Sequence, residues 1–260
     1  MDHRPISEIA KRYTHYDMID QYTDLPAFPE QRVNLLCYFL NRSHPSISRH
    51  TELYSLAASL VQVGMDMHDL VDGGGGSGPS REVRSRQLRV LAGDYFSSRF
   101  YQLLSQAGQI DLVRRLSEAI CDVNRMKLNL YERMIQTRLS AEEYLQATVE
   151  IRSRLFLAFS ALMDGQYRSS WPELLRHITT CEVLSEEMNR EDISTPHSLL
   201  YWHLRESGGT AVSAARQFMG TMLDQHWKHA MQRIKQLEPD KWLQDALHFR
   251  VPGMKLAERT

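Results

Sequence analysis

Apolar residues recur at three- and four-residue steps along most of the chain. From Asp111 onward, Leu112, Leu116, Ala119, Ile120, Val123, Leu130 and Met134 follow the 3.6-residue period of an amphipathic helix. Ser140-Ala141-Glu142-Glu143 has the form of a capping box, in which the serine accepts the N3 amide and the glutamate reaches back. It predicts the start of a helix whose apolar set is Tyr144, Leu145, Ile151, Leu155, Phe159 and Leu162. Ser170-Trp171-Pro172-Glu173 and Thr195-Pro196 each place a hydroxyl before a proline, which predicts two further helix starts. Gly208-Gly209 separates a short helix from a long one over 210–237, and Pro239 begins a last short one. No β-alternation and no Asn-Gly hairpin interrupts the pattern. The expectation is an all-α protein, a single-domain bundle of about ten helices spanning 1–260.

One low-complexity segment breaks the periodicity, Gly73-Gly74-Gly75-Gly76-Ser77-Gly78-Pro79-Ser80. A phosphate-cradling loop needs glycines at set spacings, usually after a strand and with a lysine. This run has none of these features, so it reads as a flexible, solvated Gly/Ser connector over 73–80. The arginines after it, Arg81, Arg84, Arg86 and Arg89, read as a charged helix face, because Glu82 can pair with Arg86 at i,i+4.

Composition narrows the function classes. A chain of 260 residues buries roughly three quarters of its unfolded surface and needs no staples. A formal net charge of -1 gives no general attraction to nucleic acid or to an anionic membrane. The longest apolar stretch, near 155–163, is far shorter than the ~20 residues of a spanning helix, and the N-terminus lacks the layout of a signal peptide. The expected location is cytoplasmic. Cys37, Cys121 and Cys181 are widely separated and read as reduced core thiols. His226 and His229 with Asp224 have a spacing that a metal could use, yet i,i+3 histidines on an amphipathic helix are ordinarily packing or surface residues. Glu182, Glu186, Glu187, Glu191 and Asp192 read as a solvated acidic helix end.

The stretch from Ala58 to Arg99 carries the strongest functional signal. Ala58-Ser59-Leu60-Val61 is followed by Asp66-Met67-His68-Asp69-Leu70-Val71-Asp72, the glycine run, and then Leu91-Ala92-Gly93-Asp94-Tyr95-Phe96. This order resembles the trans-polyprenyl diphosphate synthases, whose first aspartate-rich motif reads roughly A-S-L-V-H-D-D-x-x-D and is followed by L-x-G-D-Y-L. Here the adjacent aspartate pair is absent: one register puts Val63 and Gly64 in its place, the other puts Leu70 in the second position. Asp66, Asp69 and Asp72 lie at i, i+3 and i+6 and are the weak candidates for a magnesium site. The second aspartate-rich motif has no counterpart; the nearest segment, 215–224, offers only Asp224. Arg152-Ser153-Arg154-Leu155-Phe156 stands where the resembled family has K-T-x-x-L-F, without the lysine.

The resemblance is close over about 52–163. Within it, 86–95 and 124–132 are similar to the small, non-catalytic subunit family of heterodimeric heptaprenyl diphosphate synthases. That resemblance implies an isoprenoid-synthase-like fold and a chain that is inactive alone, with no catalytic residues and no cofactor of its own. It implies a large catalytic partner carrying two D-D-x-x-D motifs and the Mg²⁺. The pair would make heptaprenyl diphosphate from farnesyl and isopentenyl diphosphate for the menaquinone side chain. It further implies that the helices over about 82–106 and 111–138 meet the partner. Val123, Met126, Leu128, Leu130 and Tyr131 are the candidate interface and product-tunnel residues, with the prenyl chain at the subunit seam. Two other readings remain at this point: a self-sufficient isoprenoid enzyme with a degenerate metal site, and a helical adaptor unrelated to prenyl chemistry.

Overall fold

The computed structural model describes residues 4–71, 80–208, 211–239 and 241–247. Asp72 and the Gly/Ser connector up to Pro79 lie outside the described residues. Among the described residues there are twelve α-helices, one 3-10 segment and no strand. The excess over about ten comes from helices of four to six residues, too short to display a period. The chain divides into two compact units, Met1–Glu118 and Ala119–Thr260.

The first unit holds α1 (Ile6–Thr14), α2 (Asp17–Tyr22), α3 (Glu30–Asn41), α4 (Pro45–Ser48), α5 (Thr51–Asp69) and α6 (Ser80–Gln106). Helix α5 is buried all round: Ala57, Ala58, Leu60 and Val61 are fully inaccessible, so the Ala-Ser-Leu-Val segment is core. Two glycines let α6 lie directly on it. A Cβ on Gly64 would sit 2.9 Å from both the Gly93 carbonyl oxygen and the Ser97 amide nitrogen. A Cβ on Gly93 would meet the His68 ring at 2.8 Å. Around this crossing Val63 and Met67 of α5 pack with Ala92 and Phe96 of α6 and Ile19 of α2. The α2 end is also pinned by polar contacts: Arg84 donates to the Tyr22 hydroxyl at 3.2 Å, and Tyr16 bonds the Tyr95 hydroxyl, which also accepts from Arg99.

Helix α7 (Ile110–Ile135) follows the expected period and runs through the division between units. The second unit continues with α8 (Ala141–Leu157), a 3-10 segment (Ala158–Leu162), α9 (Gly165–Asn189), α10 (Leu199–Glu206), α11 (Val212–Lys235) and α12 (Lys241–Ala246). The capping box forms as read, with Glu143 N–H donating to Ser140 Oγ at 3.0 Å and Ser140 N–H to Glu143 Oε2 at 2.9 Å. Phe159 and Leu162 belong to the 3-10 segment and not to α8 itself.

Four local expectations are corrected. Ser170-Trp171-Pro172 does not start a helix, because α9 begins at Gly165 and carries Pro172 inside it. Ser170 and Trp171 are buried, and packing of that indole holds the helix through a proline that removes one N–H bond to the Arg168 carbonyl. Thr195-Pro196 forms a turn, and the cap of α10 is Ser198, whose hydroxyl accepts from Leu200 N–H at 3.1 Å. Glu187 is not part of a solvated acidic end. It is 4% exposed, accepts from Ser198 Oγ (2.8 Å) and Leu199 N–H (2.9 Å), and pairs with Arg190 Nε at 3.1 Å. A carboxylate there satisfies amide donors at the N-terminus of α10, where negative charge is favoured. Cys121 is exposed, whereas Cys37 and Cys181 are buried as expected; burial pushes their thiols up to about 11 and about 12.

Candidate functional site

The C-terminal end of α5 is where the resembled motif would hold metal. Asp66 lies on a half-buried face and accepts from Gln62 Nε2 at 2.8 Å, while Gln62 Oε1 accepts from the buried Arg32 guanidinium at 3.4 Å. Asp69 is exposed on the last turn of α5. Across the crossing, His68 Nε2 lies 3.2 Å from Asp94 Oδ1. Arg89 of α6 donates to the Leu70 carbonyl at 2.8 Å and to Thr23 Oγ1 at 3.1 Å. A guanidinium therefore sits on the C-cap carbonyl of α5, where a cation complements the helix dipole. Among the described residues no group of three or more His, Cys, Asp or Glu side chains is placed to hold a metal ion. That statement covers Asp66, Asp69, Asp224, His226 and His229; Asp72 lies outside the described residues. A magnesium–diphosphate site needs carboxylates free to turn toward the metal. Here Asp66 accepts from the Gln62 amide, and Arg89 meets the end of the helix.

The motif region packs closely. Gly93 and Asp94 of the Gly-Asp-Tyr segment serve the α5–α6 crossing, one by lacking a side chain and the other by pairing with His68.

The five candidate interface residues separate by burial. Leu128 and Tyr131 point outward, at 56% and 51% exposure, and Ile135 extends the same i, i+3, i+7 face at 64%. Val123 is buried at 3%, and Leu130 is half-buried against the core of the second unit, which contains Leu184, Trp202 and Leu223. Met126 does something else: it lines a cleft. In the first unit, α6 separately exposes Leu91 at 63% and Tyr101 at 46%. Isolated apolar residues on a surface need no explanation, but three successive positions on one helix face do.

The cleft, about 650 Å³, lies wholly within the second unit. Met126, Val149, Leu157 and Pro172 give it an apolar floor, and Arg125, Arg154, Glu173 and Arg176 a charged rim. Asp122 organises part of that rim, accepting from Arg154 Nε at 2.9 Å and from Arg125 Nη2 at 2.8 Å. These two guanidiniums hold its carboxyl below the usual aspartate range. Arg152, at the start of the Arg-Ser-Arg-Leu-Phe segment, pairs with Glu186 at 2.7 Å. Sequence reasoning missed this cleft because it joins three helices and its central ion pair spans 32 residues.

The arrangement of helices is that of the isoprenoid synthases. Octaprenyl pyrophosphate synthase from Helicobacter pylori superimposes with a TM-score of 0.54 at 13% identity, covering 93% of this chain and 95% of that one. At that identity the likeness is one of fold. Residues 16–235 match the family described as heptaprenyl diphosphate synthase (HEPPP synthase) subunit 1, and the chain belongs to that family. Heptaprenyl diphosphate synthase component 1 from Geobacillus stearothermophilus is 41% identical over 145 residues, which cover 51% of this chain and 62% of that relative. No helix among the described residues is long and apolar enough to cross a membrane.

Proposed function

We propose that this chain is the non-catalytic subunit of a heterodimeric trans-prenyltransferase, folded as one isoprenoid-synthase-like domain and acting in the cytoplasm. Its partner is a large subunit with two D-D-x-x-D motifs, which holds the Mg²⁺ and ionises the allylic diphosphate. The pair condenses farnesyl and isopentenyl diphosphates to heptaprenyl diphosphate, the precursor of a menaquinone side chain. The observation that carries this reading is the contrast at α5 and α6. The glycine-mediated crossing is intact, while Asp66 is tied to Gln62 and Arg89 meets the helix end. Family membership supports the reading from the other side.

The subunit's second role in this proposal is to shape the path of the growing prenyl chain along the seam. Met126, Val149 and Leu157 offer an apolar lining in the cleft, and each buried methylene contributes roughly 0.8 kcal/mol. A wall that blocks the path therefore stops elongation early. Met126→Trp in the assembled pair is expected to shift products toward shorter chains while turnover persists, read by chromatography of the dephosphorylated prenols. Val123→Trp and Leu130→Trp test the remaining candidates. An unchanged product distribution in all three would assign the tunnel to the large subunit alone.

A further inference from the structure

His177 of α9 and His226 of α11 meet through their Nδ1 atoms at 2.9 Å, and His229 of α11 stacks on His177 with ring centroids 5.7 Å apart. A hydrogen bond between two imidazole nitrogens needs one N–H and one lone pair. The two rings must therefore be neutral together or share a single added proton. In the neutral pair they take opposite tautomers at Nδ1. If both rings are protonated, two N–H groups and two positive charges face each other at contact distance.

The surroundings add to that penalty. The rings are half-buried between α9 and α11, and Arg176, adjacent to His177 in the chain, acts on both of them. On the same helix Glu173 is the carboxylate that favours the charged form of His177, but it is also paired with Arg233 of α11 at 3.4 Å. From α11, His229 adds a further group that opposes protonation. Of the charged side chains on the other elements packed on these helices, Glu150 of α8 lines the cleft beside Glu173 and Arg176, and three arginines have partners of their own. On α8, Arg152 pairs with Glu186 and Arg154 with Asp122; on α10, Arg205 lies over Trp202.

We propose that the His177–His226 contact is an acid-sensitive latch between α9 and α11, closed by one hydrogen bond and released when both imidazoles become charged. The latch bears on the cleft, because Glu173 and Arg176 of the same α9 segment form its rim. Burial and the neighbouring charges push His226 down to about 4 and lower His177 as well. An unfolded chain takes these protons near 6.5, so the contribution of the pair is complete above that pH. It is lost progressively as pH falls from 6.5 toward 4.

Histidine-selective NMR of the full chain tests the latch. At pH 7 the two rings are expected as opposite tautomers, and His226 is expected to titrate at about 4. Amide exchange over 173–180, corrected for intrinsic rates, is expected to rise on going from pH 7 to pH 4. In His226→Gln, which keeps an acceptor for His177 and cannot take the second proton, that rise and the accompanying fall in Tm are expected to shrink to half or less. Titration of His226 at its ordinary value, with equal acid sensitivity in wild type and variant, would overturn the proposal. If the variant does not fold, the wild-type titration and tautomers decide alone.

Discussion

Aspartate at both Leu128 and Tyr131 is expected to abolish capture of the large subunit while leaving the helical content of the isolated chain unchanged. Both side chains are more than half exposed, so their replacement removes little from the core of the second unit. With Ile135 they form one apolar face on α7, and we propose that the partner covers it. Interfaces of obligate heterodimers commonly bury more than ~2,000 Å², with aromatic and aliphatic anchors near the centre. Leaving an unpaired carboxylate in such a patch costs roughly 3–5 kcal/mol. Since about 1.4 kcal/mol is tenfold in affinity, the double variant is expected to weaken association by about 1,000-fold or more. Circular dichroism serves as the control for folding, and pull-down of the large subunit as the readout. Undiminished capture by a folded double variant would place the interface elsewhere.

The second large effect is expected at Gly64. Its missing Cβ faces backbone atoms on α6, the Gly93 carbonyl and the Ser97 amide, and neither can swing aside as a side-chain tip can. Gly64→Val therefore forces the α5–α6 crossing apart, at a cost of about 3 kcal/mol or more. The expected fall in Tm is about 10 °C. Gly220→Ala provides the contrast within the same chain. Its Cβ would approach nothing nearer than the Met188 methyl at 3.4 Å, so helix propensity dominates and a gain of about 0.5–1 kcal/mol is expected. Equal effects at the two glycines would show that close approach at Gly64 does not govern the crossing.

The two halves of this account were not equally legible in the sequence. Ser140 and Glu143 announced the start of α8 because a capping box is complete within four residues. The period of α7 was equally plain, since it is carried by one helix. Pro172 misled because the local preference of a proline for the first turn yields to burial of Trp171, which no local pattern encodes. Glu187 looked solvated beside Glu186 and Glu191, yet its donors arrive from Ser198 and Leu199, more than ten residues later. The candidate site divides along the same line. Loss of the paired aspartates could be read directly from 58–72, whereas the fate of Asp66, engaged by Gln62, required the side-chain geometry. Burial likewise separated Leu128 and Tyr131 from Val123, three residues that the family resemblance had grouped together as interface candidates.

Incorporation of isopentenyl diphosphate onto farnesyl diphosphate tests the central claim most directly, measured with Mg²⁺ for the purified chain alone and again after adding the large subunit. Departure of the allylic diphosphate needs metal ions to neutralise its charge, and among the described residues no group of three or more His, Cys, Asp or Glu side chains is placed to hold one. The account predicts no incorporation above the blank for the chain alone and heptaprenyl diphosphate once the pair is assembled. Mg²⁺-dependent chain elongation by the isolated chain, free of contaminating synthase, would contradict it.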